Sequence, residues 1–167
     1  MGGAGLDRSF GGNGNDIAFG GEGTDGLFGE FGDDTLYGEN GNDRFFGGQG
    51  RDSLFGGADN DTLYGGAGFD TLDGGTGDDI FRGDFNADVF VFADGHGNDT
   101  IEDFAAENLF EKIDLSAVSA ITDLADLLSN HTSQVGADVL IDTGSGNTIL
   151  LNGVDIGDLD STDFTFV

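Results

Sequence analysis

Ten aspartates recur at every ninth position: Asp7, Asp16, Asp25, Asp34, Asp43, Asp52, Asp61, Asp70, Asp79 and Asp88. Carboxylates can ligate a cation or work as acid and base. Acid–base catalysis needs two groups held in different environments, not a column of equals, so this spacing points to ligation. Each aspartate is sixth in a phrase that opens on glycine, from Gly2 and Gly11 through to Gly83. The fourth position is Gly in eight of the ten phrases, with Asp59 and Asn86 as exceptions. Asp and Asn tolerate a left-handed backbone best among residues with side chains, so this position is expected at positive φ.

The eighth position is apolar from Ala18 through Leu27, Leu36, Phe45, Leu54, Leu63, Leu72 and Phe81 to Phe90, and only Ser9 fails. Each unit then reads as a six-residue turn and a three-residue strand whose middle side chain faces a core. Two units make one coil of strand, turn, strand, turn. Successive coils stack as parallel strands ~4.8 Å apart, and nine or ten units give about five coils.

Stacking puts Asp16 on Asp34, and Asp25 on Asp43. Carboxylates this close repel unless a cation lies between them. Glycine-rich turns add rows of uncovered carbonyls. Two carboxylates with about four carbonyls form an all-oxygen site of the kind Ca2+ prefers; Mg2+ keeps its waters and demands stricter geometry.

Composition agrees. The 167 residues carry a formal charge of −28, with 33 acidic residues against 5 Lys and Arg. Of the acids 27 are aspartate, a short carboxylate held near the backbone. Such charge excludes nucleic acid as a partner and disfavours anionic membranes. It also opposes compaction, so the glycine-rich half is expected to be disordered without a cation. No apolar run approaches the ~20 residues of a membrane span, and "MGGAGLDRSF" holds no signal-peptide core. Cysteine is absent. The two histidines, His96 and His131, read as solvated surface residues, and no H-E-x-x-H zinc motif occurs. Lys112, the one lysine, reads as a partner in a structural ion pair. No enzyme site is expected.

The phrases "GGEGTDGLF" (Gly20–Phe28) and "GGAGFDTLD" (Gly65–Asp73) match GGxGxDxUx in full, with U apolar. The chain closely resembles the RTX proteins, whose nonapeptide is a known Ca2+-binding β-helix repeat. The resemblance implies an all-β parallel β-roll, a right-handed solenoid, with Ca2+ between alternate turns. Carried over, the aspartate pairs are Asp7/Asp25, Asp16/Asp34, Asp25/Asp43, Asp34/Asp52, Asp43/Asp61, Asp52/Asp70, Asp61/Asp79 and Asp70/Asp88, for about six to eight ions. The carbonyls it adds are those of Gly11, Asn13 and Gly14; Gly20, Glu22 and Gly23; Gly29, Phe31 and Gly32; Gly38, Asn40 and Gly41. Further along they are Gly47, Gln49 and Gly50; Gly56 and Ala58; Gly65, Ala67 and Gly68; Gly74, Thr76 and Gly77. A slipped eleventh unit, "DGHGNDTIE" (Asp94–Glu102), follows a two-residue insertion and offers Asp99 as a partner for Asp79.

Aromatic residues fill the ninth position from Phe10 to Tyr64. They are expected outside, as ladders Phe10/Phe28/Phe46/Tyr64 and Phe19/Tyr37/Phe55. Residues 2–91 are thus assigned to the roll and 92–167 to a β-rich cap with one short helix. Ile121, Leu124, Ala125 and Leu128 share the helix face, with Ser119 as its cap. "ADVLID" and "NTILLN" flank Gly144-Ser145-Gly146 as a hairpin. "GNDTIEDF", "EKIDLSA", "LLNGVD" and the final "DFTFV" are similar to the C-terminal region of serralysin-type secreted metalloproteases. That resemblance implies bacterial secretion by a type I machinery that reads the extreme C-terminus, and an upstream domain as partner, since Met1 directly precedes the first Gly-Gly. The alternative is a module for an acidic polysaccharide, as in alginate epimerases, using Ca2+ bridges or the aromatic ladders.

Overall fold

The computed structural model describes residues 2–106 and 111–166. Ten strands follow the repeat: β1 (Arg8–Asn13), β2 (Ile17–Glu22), β3 (Gly26–Phe31), β4 (Thr35–Asn40), β5 (Arg44–Gln49), β6 (Ser53–Ala58), β7 (Thr62–Gly68), β8 (Thr71–Thr76), β9 (Ile80–Asn86) and β10 (Val89–Ala93). The tail adds β11 (Asn98–Ile101), β12 (Lys112–Ala117), β13 (Thr132–Val135), β14 (Asp138–Gly144), β15 (Asn147–Leu151) and β16 (Phe164–Thr165). The fold is a nearly all-β parallel solenoid of about five turns. One sheet runs β1-β3-β5-β7-β9-β11-β15-β14-β13, the other β16-β12-β10-β8-β6-β4-β2. Pairing joins units two apart, as in Leu36 with Leu54 and Phe45 with Leu63.

The strands are longer than expected. From β1 to β9 each runs six or seven residues and takes in at least the first three positions of the next unit. The reason is hydrogen-bond accounting: the amides around that glycine corner find carbonyls on the next coil, as Gly14 N does on Phe31 O at 2.8 Å. The corner sets a second requirement. From Gly12 on, position two has positive φ even where it is not glycine, with Glu30 at 77°, Glu39 at 76° and Asp84 at 70°. Position four behaves as expected, including Asp59 at 75° and Asn86 at 83°. Gly68 departs and is not at positive φ.

The eighth column forms the core. Leu27, Leu36, Phe45, Leu54, Leu63 and Leu72 are fully buried. The ninth-column rings stack outside it, with centroids 4.8–5.0 Å apart along both ladders.

The tail extends both sheets. β11 lies on β9, so the slipped unit joins the roll, and β12 lies on β10. The boundary placed at 91/92 falls inside β10. The hairpin forms as expected: β14 and β15 pair antiparallel around Ser145 and Gly146, both at positive φ. The helix is shorter than its apolar spacing implies, at Leu124–Asp126, and widens into a π-turn over Leu127–His131 that buries Leu127. Its cap is Asp123, whose carboxylate accepts from Asp126 N at 2.9 Å, and not Ser119. Ser119 N is bound instead to Asp94 Oδ1. Of the terminal motif, Val167 lies outside the described residues. No helix among them is long and apolar enough to cross a membrane.

Candidate metal centre

The sixth column stands at the turn just before each strand, and the solenoid stacks it into two files. One holds Asp7, Asp25, Asp43, Asp61 and Asp79; the other holds Asp16, Asp34, Asp52, Asp70 and Asp88. Every aspartate of the two files from Asp25 to Asp88 is at most 3% exposed. Within a file the two carboxylate oxygens differ. Oδ1 accepts the backbone N–H of the aspartate one coil back, at 2.7–2.9 Å from Asp7 N on Asp25 to Asp70 N on Asp88. Oδ2 of Asp16, Asp25, Asp34, Asp43, Asp52, Asp61, Asp70, Asp79 and Asp88 is buried with no hydrogen-bond partner. Asp7 differs at the open end, where Gly3 N donates to its Oδ2.

A buried carboxylate oxygen without a partner is costly. Its protonation shows the strain. Burial pushes Asp43 and Asp52 up to about 6, Asp70, Asp79 and Asp88 to about 7 and Asp61 to about 8. The Oδ1 hydrogen bond opposes this rise, and the stacked aspartates add to it.

The free oxygens face carbonyls. A Cβ built on Gly20 meets Asp25 Oδ2 and Gly38 O, each at 2.8 Å; on Gly47 it meets Asp52 Oδ2 at 2.6 Å and Gly65 O at 2.5 Å. Gly11, Gly29, Gly38, Gly56 and Gly65 show the same convergence of a carboxylate oxygen and a carbonyl of the next coil. Position one is therefore glycine because a side chain would close the space between two oxygens, and its φ is ordinary. Gly83 O, which is not among the carbonyls expected from the repeat, completes the set beside Asp70 Oδ2 and Gly65. Orphaned carboxylate oxygens, carbonyls converging on them and no soft donor fit a hard cation such as Ca2+. Among the described residues no group of three or more His, Cys, Asp or Glu side chains is placed to hold a metal ion, so any ion must draw on the backbone carbonyls as well.

The carbonyls at position three, those of Glu22, Phe31, Asn40, Gln49, Ala58 and Ala67, each accept one amide of the neighbouring coil and keep a second lone pair. Another ladder was not evident from spacing. Asn15 and Asp33 take the amides of Asp33 and Arg51; Asn42, Asn60 and Asp78 take those of Asn60, Asp78 and Asn98. The signal was there, in the Asn and Asp residues of position five.

Two expectations change. His96 is buried, not solvated: the slipped unit folds its third residue inward, where Nδ1 lies 2.5 Å from Asp99 Oδ2 and Nε2 lies 2.7 Å from Thr143 Oγ1. Lys112 makes no carboxylate pair among the described residues; its Nζ donates to the Thr162 carbonyl at 2.7 Å and ties β12 to the approach of β16. Asp99 does continue its file, accepting Asp79 N at 2.8 Å.

The chain belongs to the family of the RTX calcium-binding nonapeptide repeat (4 copies), whose model matches residues 1–36, 19–54, 37–72, 55–90 and 64–97, more than half of the sequence. It is an RTX calcium-binding repeat domain. The extracellular lipase LipA from Serratia marcescens is similar over 97% of this chain and 40% of its own, at 20% identity and a TM-score of 0.49. The AlgE6R3 subunit from the Azotobacter vinelandii mannuronan C5-epimerase is similar over 99% of this chain and 80% of its own, at 23% identity and a TM-score of 0.35. The chain thus spans less than half the length of the lipase. Among curated proteins no sequence matches it.

Proposed function

We propose that this chain is the calcium-folded C-terminal part of a secreted bacterial protein. It leaves the cell unfolded through a type I channel and folds when extracellular Ca2+ enters the two files of aspartates. The observation that carries this reading is the set of nine buried, partnerless Oδ2 atoms from Asp16 to Asp88. Six to eight Ca2+ ions, between the pairs from Asp7/Asp25 to Asp70/Asp88, would take up those oxygens with the carbonyls of positions one to four. Eight ions would bring the formal charge from −28 to −12, since 8 × 2 = 16. The chain itself has no catalytic role in this reading, and any activity belongs to an upstream domain. Residues 92–167 cap the roll and carry the secretion signal. The test is far-UV circular dichroism in chelator and in millimolar Ca2+. A cooperative gain of β-signal is expected, and an identical spectrum in both excludes the reading.

A second reading, binding of an acidic polysaccharide, has one observation in its favour. Arg8 and Arg44 flank Gly26 on the first sheet, beside Phe28 and Phe46, around a cavity of about 340 Å³. Gly26 is the one glycine at position seven, where strands otherwise favour side chains, and glycine in a strand often marks close approach of a ligand. Titration of an acidic glycan into the Ca2+-loaded chain tests it; binding must weaken in Arg44→Ala for this reading to stand.

A further inference from the structure

The two ends of the file from Asp7 to Asp99 differ from its middle: Asp7 Oδ2 takes the Gly3 amide, and Asp99 Oδ2 meets a side chain. From Asp16 to Asp88 each Oδ2 is buried and bare, whereas Asp99 Oδ2 lies 2.5 Å from His96 Nδ1. Both residues are at most 3% exposed. The imidazole is held from its other side as well. Nε2 is 2.7 Å from Thr143 Oγ1, which donates onward to Asn147 O at 3.1 Å and so accepts from the ring. Phe92 packs edge-on against the ring with centroids 5.1 Å apart. Thr143 and Asn147 belong to the hairpin of β14 and β15, and β15 is the next strand of the sheet beyond β11. His96 therefore sits where the repeat gives way to the tail, at the third position of the slipped unit, a position that elsewhere offers only its carbonyl.

We propose that His96 stands at Asp99 Oδ2 in the place a Ca2+ ion takes at the coils before it. The file then ends in a protein side chain, and the last coil is closed onto the hairpin without metal. A ring nitrogen supplies the hydrogen-bond partner that the orphaned oxygens elsewhere lack, and the ring brings its own tether to the tail through Thr143. This inference rests on the reading of the aspartates as Ca2+ ligands. It adds that Asp99 accepts no ion on its Oδ2 side.

The test uses the intact chain. Crystals grown in Ca2+ and soaked in Tb3+ are mapped by anomalous scattering, and bound ions are counted by native mass spectrometry at saturating Ca2+ for the natural chain and for His96→Gly. Ions are expected on the coils from Asp16 onward with none at Asp99 Oδ2, and His96→Gly is expected to bind one ion more. An anomalous peak within coordination distance of Asp99 Oδ2 in the natural chain overturns the inference, as does an unchanged count in a folded His96→Gly. The map of the natural chain decides the matter if His96→Gly does not fold. Absence of ions from every coil would overturn the Ca2+ reading itself, an outcome separate from either of these.

Discussion

Asp43 N donates to Asp61 Oδ1 at 2.7 Å, while Asp61 Oδ2, on the same carboxylate, is buried without a partner. One oxygen is spent on the backbone of the coil before it, and the other is left for something the chain does not contain. This division of labour recurs along both files and explains the preference for aspartate. Glutamate, one methylene longer, could not hold one oxygen on the neighbouring amide and keep the second at the same corner.

Asp43 should therefore matter more than aspartates outside the files. It serves the pair with Asp25 and the pair with Asp61, so Asp43→Ala should impair two adjacent sites. Each lost site costs about 2.7 kcal/mol at a hundredfold excess of Ca2+ over its Kd. Asp73, in the ninth column, has an ordinary local role, with its carboxylate on Gly75 N. Asp73→Ala should cost about 1 kcal/mol, the worth of one hydrogen bond. Comparison of Ca2+ midpoints by circular dichroism checks this, and equal shifts would mean that the files are wrongly drawn.

Acid should substitute in part for metal. In the folded chain Asp43 and Asp52 are raised to about 6 and Asp61 to about 8, against an unfolded value of ~3.9. A raised folded pKa means that the folded state holds more protons between those limits, so stability falls as pH rises through them. In chelator the roll should be most stable near pH 4 and lose that stability progressively between about pH 4 and pH 8. Ca2+ uptake near pH 7 should release protons. Far-UV circular dichroism of metal-free chain from pH 4 to pH 8 measures the first; a β-signal that rose with pH would contradict the buried, unpaired carboxylates.

Position one should reject even alanine. In Gly47→Ala the new methyl group meets Gly65 O at 2.5 Å and Asp52 Oδ2 at 2.6 Å. The variant should need at least tenfold more Ca2+ to fold. Gly3→Ala meets nothing within 4 Å and is not at positive φ, so its midpoint should stay within twofold of the natural chain. Isothermal titration of both variants separates exclusion from the site from a general effect of adding a side chain.

Removal of the tail should uncouple the roll from Ca2+. β11 covers β9, and β10 and β12 extend the sheet from β8, burying Phe81, Phe90 and Ile113. A chain ending at Arg82 exposes those strand edges and the end of the core, and repeat arrays need such ends covered. Its Ca2+ response, read by tryptophan-free near-UV and far-UV dichroism, should be much weaker or lost. Folding at the midpoint of the full chain would leave residues 92–167 without a capping role.

The repeat made the roll, its core column and both ladders of rings legible, because a strict nine-residue period fixes which side chains stack. The candidate site was legible in its side chains and less so in its backbone. Glu30 and Glu39 at positive φ could not be read from residue type, since glutamate is unusual there and the coil as a whole holds it in place. His96 was misread because one histidine in a glycine-rich turn looks solvated. Only the hairpin, about fifty residues away in sequence, shows that Thr143 closes over it. Asp123 prevailed over Ser119 as helix cap for a similar reason, with Asp94 already holding the Ser119 amide.

Above about pH 8, where the buried carboxylates are ionised, the spacing of the two files also makes each edge of the solenoid a line charge. Stacked coils set one aspartate every ~4.8 Å along each edge. Two unit charges at that separation repel by about 0.9 kcal/mol even in bulk water, more than the thermal energy of about 0.6 kcal/mol. Such an edge gathers a sheath of monovalent ions before any Ca2+ arrives, and each Ca2+ that enters must displace part of it. The apparent Ca2+ affinity of this chain is then a function of the Na+ or K+ around it, strongest in dilute buffer and falling with each addition of salt. Successive ions also meet an edge less charged than the one before, so the electrostatic pull on the first is the greatest and on the last the least.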